Sequence, residues 1–292
     1  MTTKIYFPGY YNDFKCIADR CKHSCCVGWE IAVDEATLER YDGLGREDIL
    51  SHINDGVIEL CDGDRCPFLE CNGLCRIISE LGDDYTSIIC REHPRFYHRI
   101  GDRIEGGLGL SCEEAARIVL SSDNYNSFTE HEHNLGVADE TEFDSISHRN
   151  QIYAILRDEK MPFGEKIRQL EDQYFISHEI FNNEKWQEIL SSLEYLNEEH
   201  KGILSIGEAR EEYGRIYERF LAYLVFRHLS IADSYENLRA RLCFCLLLCF
   251  LLCGSDGEGF EQICEHARII SEEIEYSEEN TAELIFEFET II

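Results

Sequence analysis

Basic residues are scarce in this chain: 27 lysines and arginines stand against 58 aspartates and glutamates in 292 residues, a formal net charge of −31. A field of that sign repels phosphate backbones and anionic headgroups, so neither nucleic acid nor a membrane surface is expected as a partner. It serves solubility, and it attracts a lysine-bearing protein surface. Long apolar runs are also missing. The most apolar stretch, Leu242 to Leu252, is too short to span a bilayer and carries Arg239 and Arg241 at its edge. Met1 to Tyr10 shows neither the apolar run nor the small-residue cleavage site of a secretory signal, so a cytoplasmic location is expected. There thiols stay reduced unless they hold metal. No internal repeat is found, and no Rossmann glycine motif. Gly106-Gly-Leu-Gly109 does not open a helix after a buried strand, and reads as a strand with close backbone approach. The C-x3-C-x2-C loop of radical S-adenosylmethionine enzymes is absent as well.

What the chain has is cysteine. Of 15 in all, ten lie in the first 112 residues. The opening run is Cys16-x4-Cys21-x3-Cys25-Cys26, followed by Cys61, Cys66, Cys71, Cys75, Cys90 and Cys112. An odd count cannot be absorbed by a complete disulfide framework. Adjacent Cys25 and Cys26 do not readily bridge each other, because the backbone would be strained, whereas side by side they can ligate one iron or two neighbouring clusters. An all-sulfur set suits iron–sulfur or zinc. Zinc sites usually show paired C-x2-4-C knuckles, to which Cys71-x3-Cys75 is the nearest approach, and Cys66-Pro67 has the cysteine–proline step of some iron–sulfur loops. Spacing favours iron–sulfur and leaves zinc and reduced structural thiols open.

The expected fold is mainly α with a small β component: a cysteine-rich, metal-stapled N-terminal unit over 1–125 and a helical bundle over 126–292. Trp29 to Asp34 alternates like a short strand, after which Asp34 caps a helix carrying Leu38 and Tyr41. Cys75 to Leu81 reads as a helix stopped at Gly82, and His98 to Leu110 as two strands turning near Gly101-Asp102. Ser111-Cys-Glu-Glu114 has the form of a capping box, which would place Cys112 in a first helical turn, where the dipole favours a thiolate. Residues from about 122 to 145 are polar and without period, as in a linker or surface excursion. Seven helical stretches follow, starting at Ile146. Cys243, Cys245, Cys249 and Cys253 fall among Leu and Phe on one of them and, with Cys264, read as core thiols.

Phe14-x-Cys16-x4-Cys21-x3-Cys25-Cys26-x-Gly28-Trp29-x-Ile31-x2-Asp34 resembles the opening of the flagellin lysine-N-methylase (FliB-type) family. In the same order follow Cys66-Pro67-Phe68-Leu69, Leu74-Cys75-x-Ile77, Leu81-Gly82, Cys90-Arg91-x2-Pro94-Arg95, Leu110-Ser111-Cys112 and Ala115-Ala116-Arg117. The resemblance covers about residues 8–120, and a broader one joins the cysteine-rich zinc- or iron-chelating proteins of YkgJ type. It implies a protein-lysine N-methyltransferase acting on flagellin, using S-adenosylmethionine and a 4Fe-4S cluster. The metal ligands it implies are drawn from Cys16, Cys21, Cys25, Cys26, Cys66, Cys75, Cys90 and Cys112. One cubane needs four of these, and eight can hold two. Cys61 and Cys71 are additional, and Glu113 stands where the family usually has proline. The alternative is a non-enzymatic zinc- or iron-chelating or metal-delivery protein.

Arg95 is the candidate to grip the carboxylate of a bound methionine moiety or to tune a cluster, against an ordinary salt bridge. Trp29 reads as an aromatic cover for the cluster or as a stacking residue. Methylating lysine requires the neutral amine. Asp34, His93, Tyr97, His98 and Glu105 are candidate bases, none selected by spacing. His23 is a possible substitute ligand, and His131-Glu-His133 lacks the helical spacing of a metal site.

Overall fold

The computed structural model describes residues 3–133, 143–181 and 184–292. The protein is mainly α with a small β part, as its sequence predicts. It divides into two compact units, one of Lys15–Phe96 with Cys112–Glu114, the other of Met1–Phe14, Tyr97–Ser111 and Ala115–Ile292. Against the boundary expected at residue 125, this groups the first strand, 97–111 and 115–125 with the helical residues. All ten N-terminal cysteines belong to the smaller unit.

Short pieces build the smaller unit. Asp34 caps the helix Glu35–Gly43, its carboxylate accepting Thr37 N at 3.1 Å and Thr37 Oγ1 at 2.8 Å. The helix buries Tyr41 beside Ile31, Val33, Ile49, Ile58, Phe68 and Ile77. A two-residue hairpin pairs Ile53–Asn54 with Val57–Ile58. The strand expected at Trp29 to Asp34 is reduced to an isolated bridge between Ala32 and Val57, because the partner hairpin is too short to extend it. The helix Arg76–Leu81 ends at Gly82, whose φ of 100° glycine adopts without strain. A further helical turn, Ile88–Glu92, carries Cys90.

In the larger unit, β1 (Thr3–Pro8) lies inside a sheet with β4 (Arg95–Ile100), β5 (Arg103–Leu108) and β6 (Phe128–His133), in the order β4-β5-β1-β6; the two-residue strands of the hairpin are β2 and β3. β1 runs parallel to β5 and antiparallel to β6. Gly106 of β5 lies against Phe7 and Tyr97 with no room for a Cβ, which is the close approach its sequence predicts. β6 occupies part of the stretch expected as linker, and 134–142 of that stretch lies outside the described residues. Helices follow at Ser145–Leu156, Phe163–Gln173, Glu184–Ser192, Gly214–Leu224, Tyr235–Cys253, Phe260–Ile270 and Glu278–Ile291. Tyr235–Cys253 is the buried axis, and Cys243, Cys245, Cys249, Cys253 and Cys264 are all buried. Two helices run on into single π turns, Val225–Leu229 and Ser271–Glu275. Buried Glu275 there accepts from Tyr223 Oη at 3.1 Å and pairs with His228 Nε2 at 2.7 Å. Among the described residues, no helix is long and apolar enough to cross a membrane.

Candidate metal centre

The eight cysteines matched by the family pattern come from separate loops and helix starts of one unit. Cys16 and Cys25 are exposed, Cys21, Cys26, Cys75 and Cys112 half-buried, Cys66 buried and Cys90 exposed at its helical turn. Backbone bonds hold their loops together. Cys66 N donates to Cys26 O at 2.8 Å, and Arg76 N to Phe68 O at 2.8 Å, which sets Cys75 beside the Cys66 loop. Asp34 Oδ2 also accepts Ile88 N at 2.9 Å, so the residue that caps one helix positions the turn bearing Cys90. Cys61 and Cys71 are exposed.

Cys25 and Cys26 share a hydrogen bond between their sulfurs. That bond, with Ser24 and the Arg65 guanidinium, holds the Cys26 thiol down at about 6 against the effect of burial. It raises Cys25, and burial adds to the rise. Burial pushes Cys66 up to about 12, although Phe68 N–H donates to its sulfur, and the neighbouring Cys26, Cys90 and Cys75 add to the rise. Cys90 is pushed up to about 11 by burial, with Cys26 and Cys75 acting the same way and Ser87 opposing. Burial likewise raises Cys75, opposed by N–H groups of Ile78 and Ile77. Cys21 is pushed up to about 12, first by burial and then by the Glu113 carboxylate. Thiols held partly away from water beside one another resist ionisation until a cation joins them. A soft metal supplies that charge and favours the deprotonated form. The donor set therefore fits an all-thiolate metal group.

Two acidic residues tie the cysteine loops together. Glu113, where the family pattern has proline, accepts Lys22 N at 2.9 Å and His23 N at 3.1 Å, tying the Cys21–Cys25 loop to Cys112. Asp34 is signalled as a helix cap, but its reach to Ile88 is not. The expected capping box does not form. The helix begins at Glu113, and Ser111 Oγ is buried without a hydrogen-bond partner, so Cys112 stands just ahead of the first turn.

The candidate bases separate clearly. Glu105 is fully buried and bound by Arg103 and Arg149, each at 2.5 Å, which makes it a structural carboxylate. Asp34 is held below the ordinary carboxylate range, burial being outweighed by the donors Ile88 and Thr37. Burial lowers His93 to about 4 and His98 to about 4, the latter helped by Arg227, His228 and Arg241, so both are weak bases. Tyr97 is the most exposed of the five, its hydroxyl 3.0 Å from that of Tyr11. Arg95 opens β4 after the cis His93–Pro94 bond, half-buried, with Nη1 donating to Arg91 O at 3.4 Å. His23 is exposed and Trp29 half-buried.

Elsewhere, His200, Glu272 and Glu273 gather three ligand-type atoms within 4.8 Å, a closeness that no three sulfurs reach among the described residues. Hydrogen bonds already use this group: Glu273 accepts Leu196 N at 2.6 Å, and Glu272 pairs with Arg268 at 2.8 Å.

The chain is similar to two proteins named lysine-N-methylase, from Salmonella typhimurium and Salmonella choleraesuis. It is 26% identical to each over 136 residues, 42% of this chain and 34% of the relative. It is also similar to the flagellar biosynthetic protein FliU of Salmonella muenchen, 27% identical over 127 residues, 39% of this chain and 75% of FliU. The chain thus matches only about a third of the length of the lysine-N-methylases. No protein-family profile matches it, and no solved structure does.

Proposed function

We propose that this chain is a protein-lysine N-methyltransferase acting on flagellin, using S-adenosylmethionine and a 4Fe-4S cluster. The observation that carries the reading is the gathering of the eight pattern cysteines in one compact unit of a chain related to lysine-N-methylases. The name of the FliU relative supports the flagellar link. The sequence spacing of the cysteines favours iron–sulfur over zinc, since the paired C-x2-4-C knuckles usual for zinc are approached only at Cys71-x3-Cys75.

The ligands would come from Cys16, Cys21, Cys25, Cys26, Cys66, Cys75, Cys90 and Cys112, and Arg95 would engage the carboxylate of the cofactor. S-adenosylmethionine supplies, when bound, an electrophilic methyl group. The lysine nitrogen must first lose its ammonium proton to a base, since only the neutral amine has a lone pair to offer. The net charge of −31 draws a lysine-bearing surface toward the protein. Intact-mass analysis of flagellin from cells with and without the gene tests the reading. Steps of about +14 Da on lysines, present only with the gene, are expected; unmodified flagellin in both would leave the metal-chelating alternative.

A further inference from the structure

Side chains alternate across the sheet of the larger unit, so its two faces differ. On one face Glu105 meets Arg149, and Phe128 stacks on Tyr153 and Phe226, so that face belongs to the core. On the other, Phe7 of β1 and Gly106 of β5 lie together with Tyr97 of β4 and with Tyr11, which follows β1. This second cluster reaches solvent: Tyr97 is 46% exposed, with Phe7 and Tyr11 half-buried beside it.

The rings are fixed in place. Phe7 and Tyr11 stack with centroids 4.1 Å apart, and Tyr97 stands nearly perpendicular to Phe7, at 82° and 6.5 Å. Gly106 permits this approach, since a Cβ there would lie 2.5 Å from the Phe7 ring and 3.0 Å from that of Tyr97. The hydroxyls of Tyr11 and Tyr97, 3.0 Å apart, share a hydrogen bond that orients both rings. His131 of β6 closes on Phe7 from the other side, at 5.7 Å and 64°. All five residues belong to one compact unit.

A ring face is the negative part of the aromatic quadrupole, so rings set in two crossed planes favour a cation over a neutral apolar group of the same size. The net charge of −31 draws cations to the protein in the same sense. Rings fixed beforehand also lower the ordering cost of binding. We infer that Phe7, Tyr11 and Tyr97 seat a lysine ε-ammonium of the protein substrate against their ring faces. The inference rests on the reading that the chain acts on protein lysine. The role of the three rings is recognition, and no proton moves to them.

Nuclear magnetic resonance of the full chain, with its phenylalanine and tyrosine rings labelled, tests this without any methylation readout. Tetramethylammonium is the cationic probe, and tert-butanol, uncharged and similar in size, is the control at equal ionic strength. Ring signals of Phe7, Tyr11 and Tyr97 should move with the cation and stay in place with the alcohol. Equal movement with both, or movement at other rings only, would overturn the inference. Binding of purified flagellin without S-adenosylmethionine gives a second readout. Tyr97→Leu should weaken it about fivefold, and Tyr97→Phe should keep it within about twofold, because a phenyl ring presents the same kind of face. A folded leucine variant that binds as tightly as the wild type would also overturn the seat. Should that variant fail to fold, the wild-type titration decides alone. Flagellin held at these rings yet unmethylated in cells would uphold the seat and sink the methyltransferase reading.

Discussion

Glu113 grips the backbone of Lys22: its Oε2 accepts that N–H at 2.9 Å, and the next N–H, of His23, at 3.1 Å. Hydrogen bonds to a carboxylate are stronger than neutral ones, and here they span a large gap in sequence. Glu113→Ala should cost about 1–2 kcal/mol, read as a lowered thermal midpoint. Glu113→Gln keeps an acceptor but removes the charge that helps push Cys21 up to about 12. In metal-free protein the alkylation of Cys21 should then set in at lower pH. An unchanged pH profile would mean that burial alone governs this thiol.

Buried carboxylate Glu105 carries the second prediction. It is bound by Arg149 at 2.5 Å, with side-chain exposures of 1% and 2%, and Arg149 also donates to Ser230 Oγ at 2.7 Å. Arg149→Met leaves buried Glu105 with Arg103 as its remaining cationic partner, so it should cost less than the about 3–5 kcal/mol of a fully broken buried pair. Adding Glu105→Gln should cost less than the sum of the two single losses, because the carboxylate that Arg149 served is already gone. A denaturant-unfolding cycle over the two sites measures this. Additive losses would mean that the pair is not coupled.

The thiols set the stability of metal-free protein against pH. Cys21, Cys66 and Cys90, raised from 9.0 to about 12, 12 and 11, are held neutral in the folded chain. Their contribution is complete below about 9 and is lost as pH rises through 11–12. Cys26, lowered from 9.0 to about 6, has the opposite sign. Its contribution is complete above about 9 and is lost as pH falls through about 6. Urea midpoints of reduced, metal-free protein should therefore rise from pH 6 toward 9 and fall beyond it. Metal keeps all these thiols deprotonated in the folded chain while the unfolded chain still takes up their protons below about 9, so the holoprotein should gain stability more steeply up to about pH 9 and not lose it beyond. A holoprotein with the same profile would argue against ligation.

The helices were readable because their apolar residues recur with the helical period over ten residues or more, as at Gly214–Leu224, while Tyr235–Cys253 is apolar all round, as a buried axis must be. β6 was not. Its sequence, Phe-Thr-Glu-His-Glu-His, has no apolar alternation, and it becomes a strand only by pairing with β1 at the edge of the sheet. The Trp29 to Asp34 stretch erred the other way, since a good alternation needs a partner long enough to pair with. Neither π turn has a local signature; each places residues around buried Glu275. At the candidate metal centre, order and spacing pointed to the eight cysteines, while the backbone bonds that bring their loops together, such as Cys66 N to Cys26 O, have no signal in the sequence. Glu113 looked like a mere departure from a pattern until its bonds to Lys22 and His23 were seen.

Two kinds of cysteine look alike by composition and should behave differently when changed. Cys26 sits at a loop where its sulfur bonds that of Cys25 and faces Arg65, and its own carbonyl holds Cys66 N. Cys26→Ser should lower metal content, thermal stability and methylation together, because a small unit stitched from short helices and loops depends on its ligands to fold. Cys249 is fully buried on the central helix, its sulfur 3.7 Å from Tyr217 O. Cys249→Ser trades a small hydrophobe for a hydroxyl in that core, at a cost of about 1–3 kcal/mol, and should leave metal content unchanged. Metal analysis beside a melting curve separates the two effects. A Cys26 variant with full metal, or a folded Cys249 variant without it, would show that the division between ligands and core thiols is drawn in the wrong place.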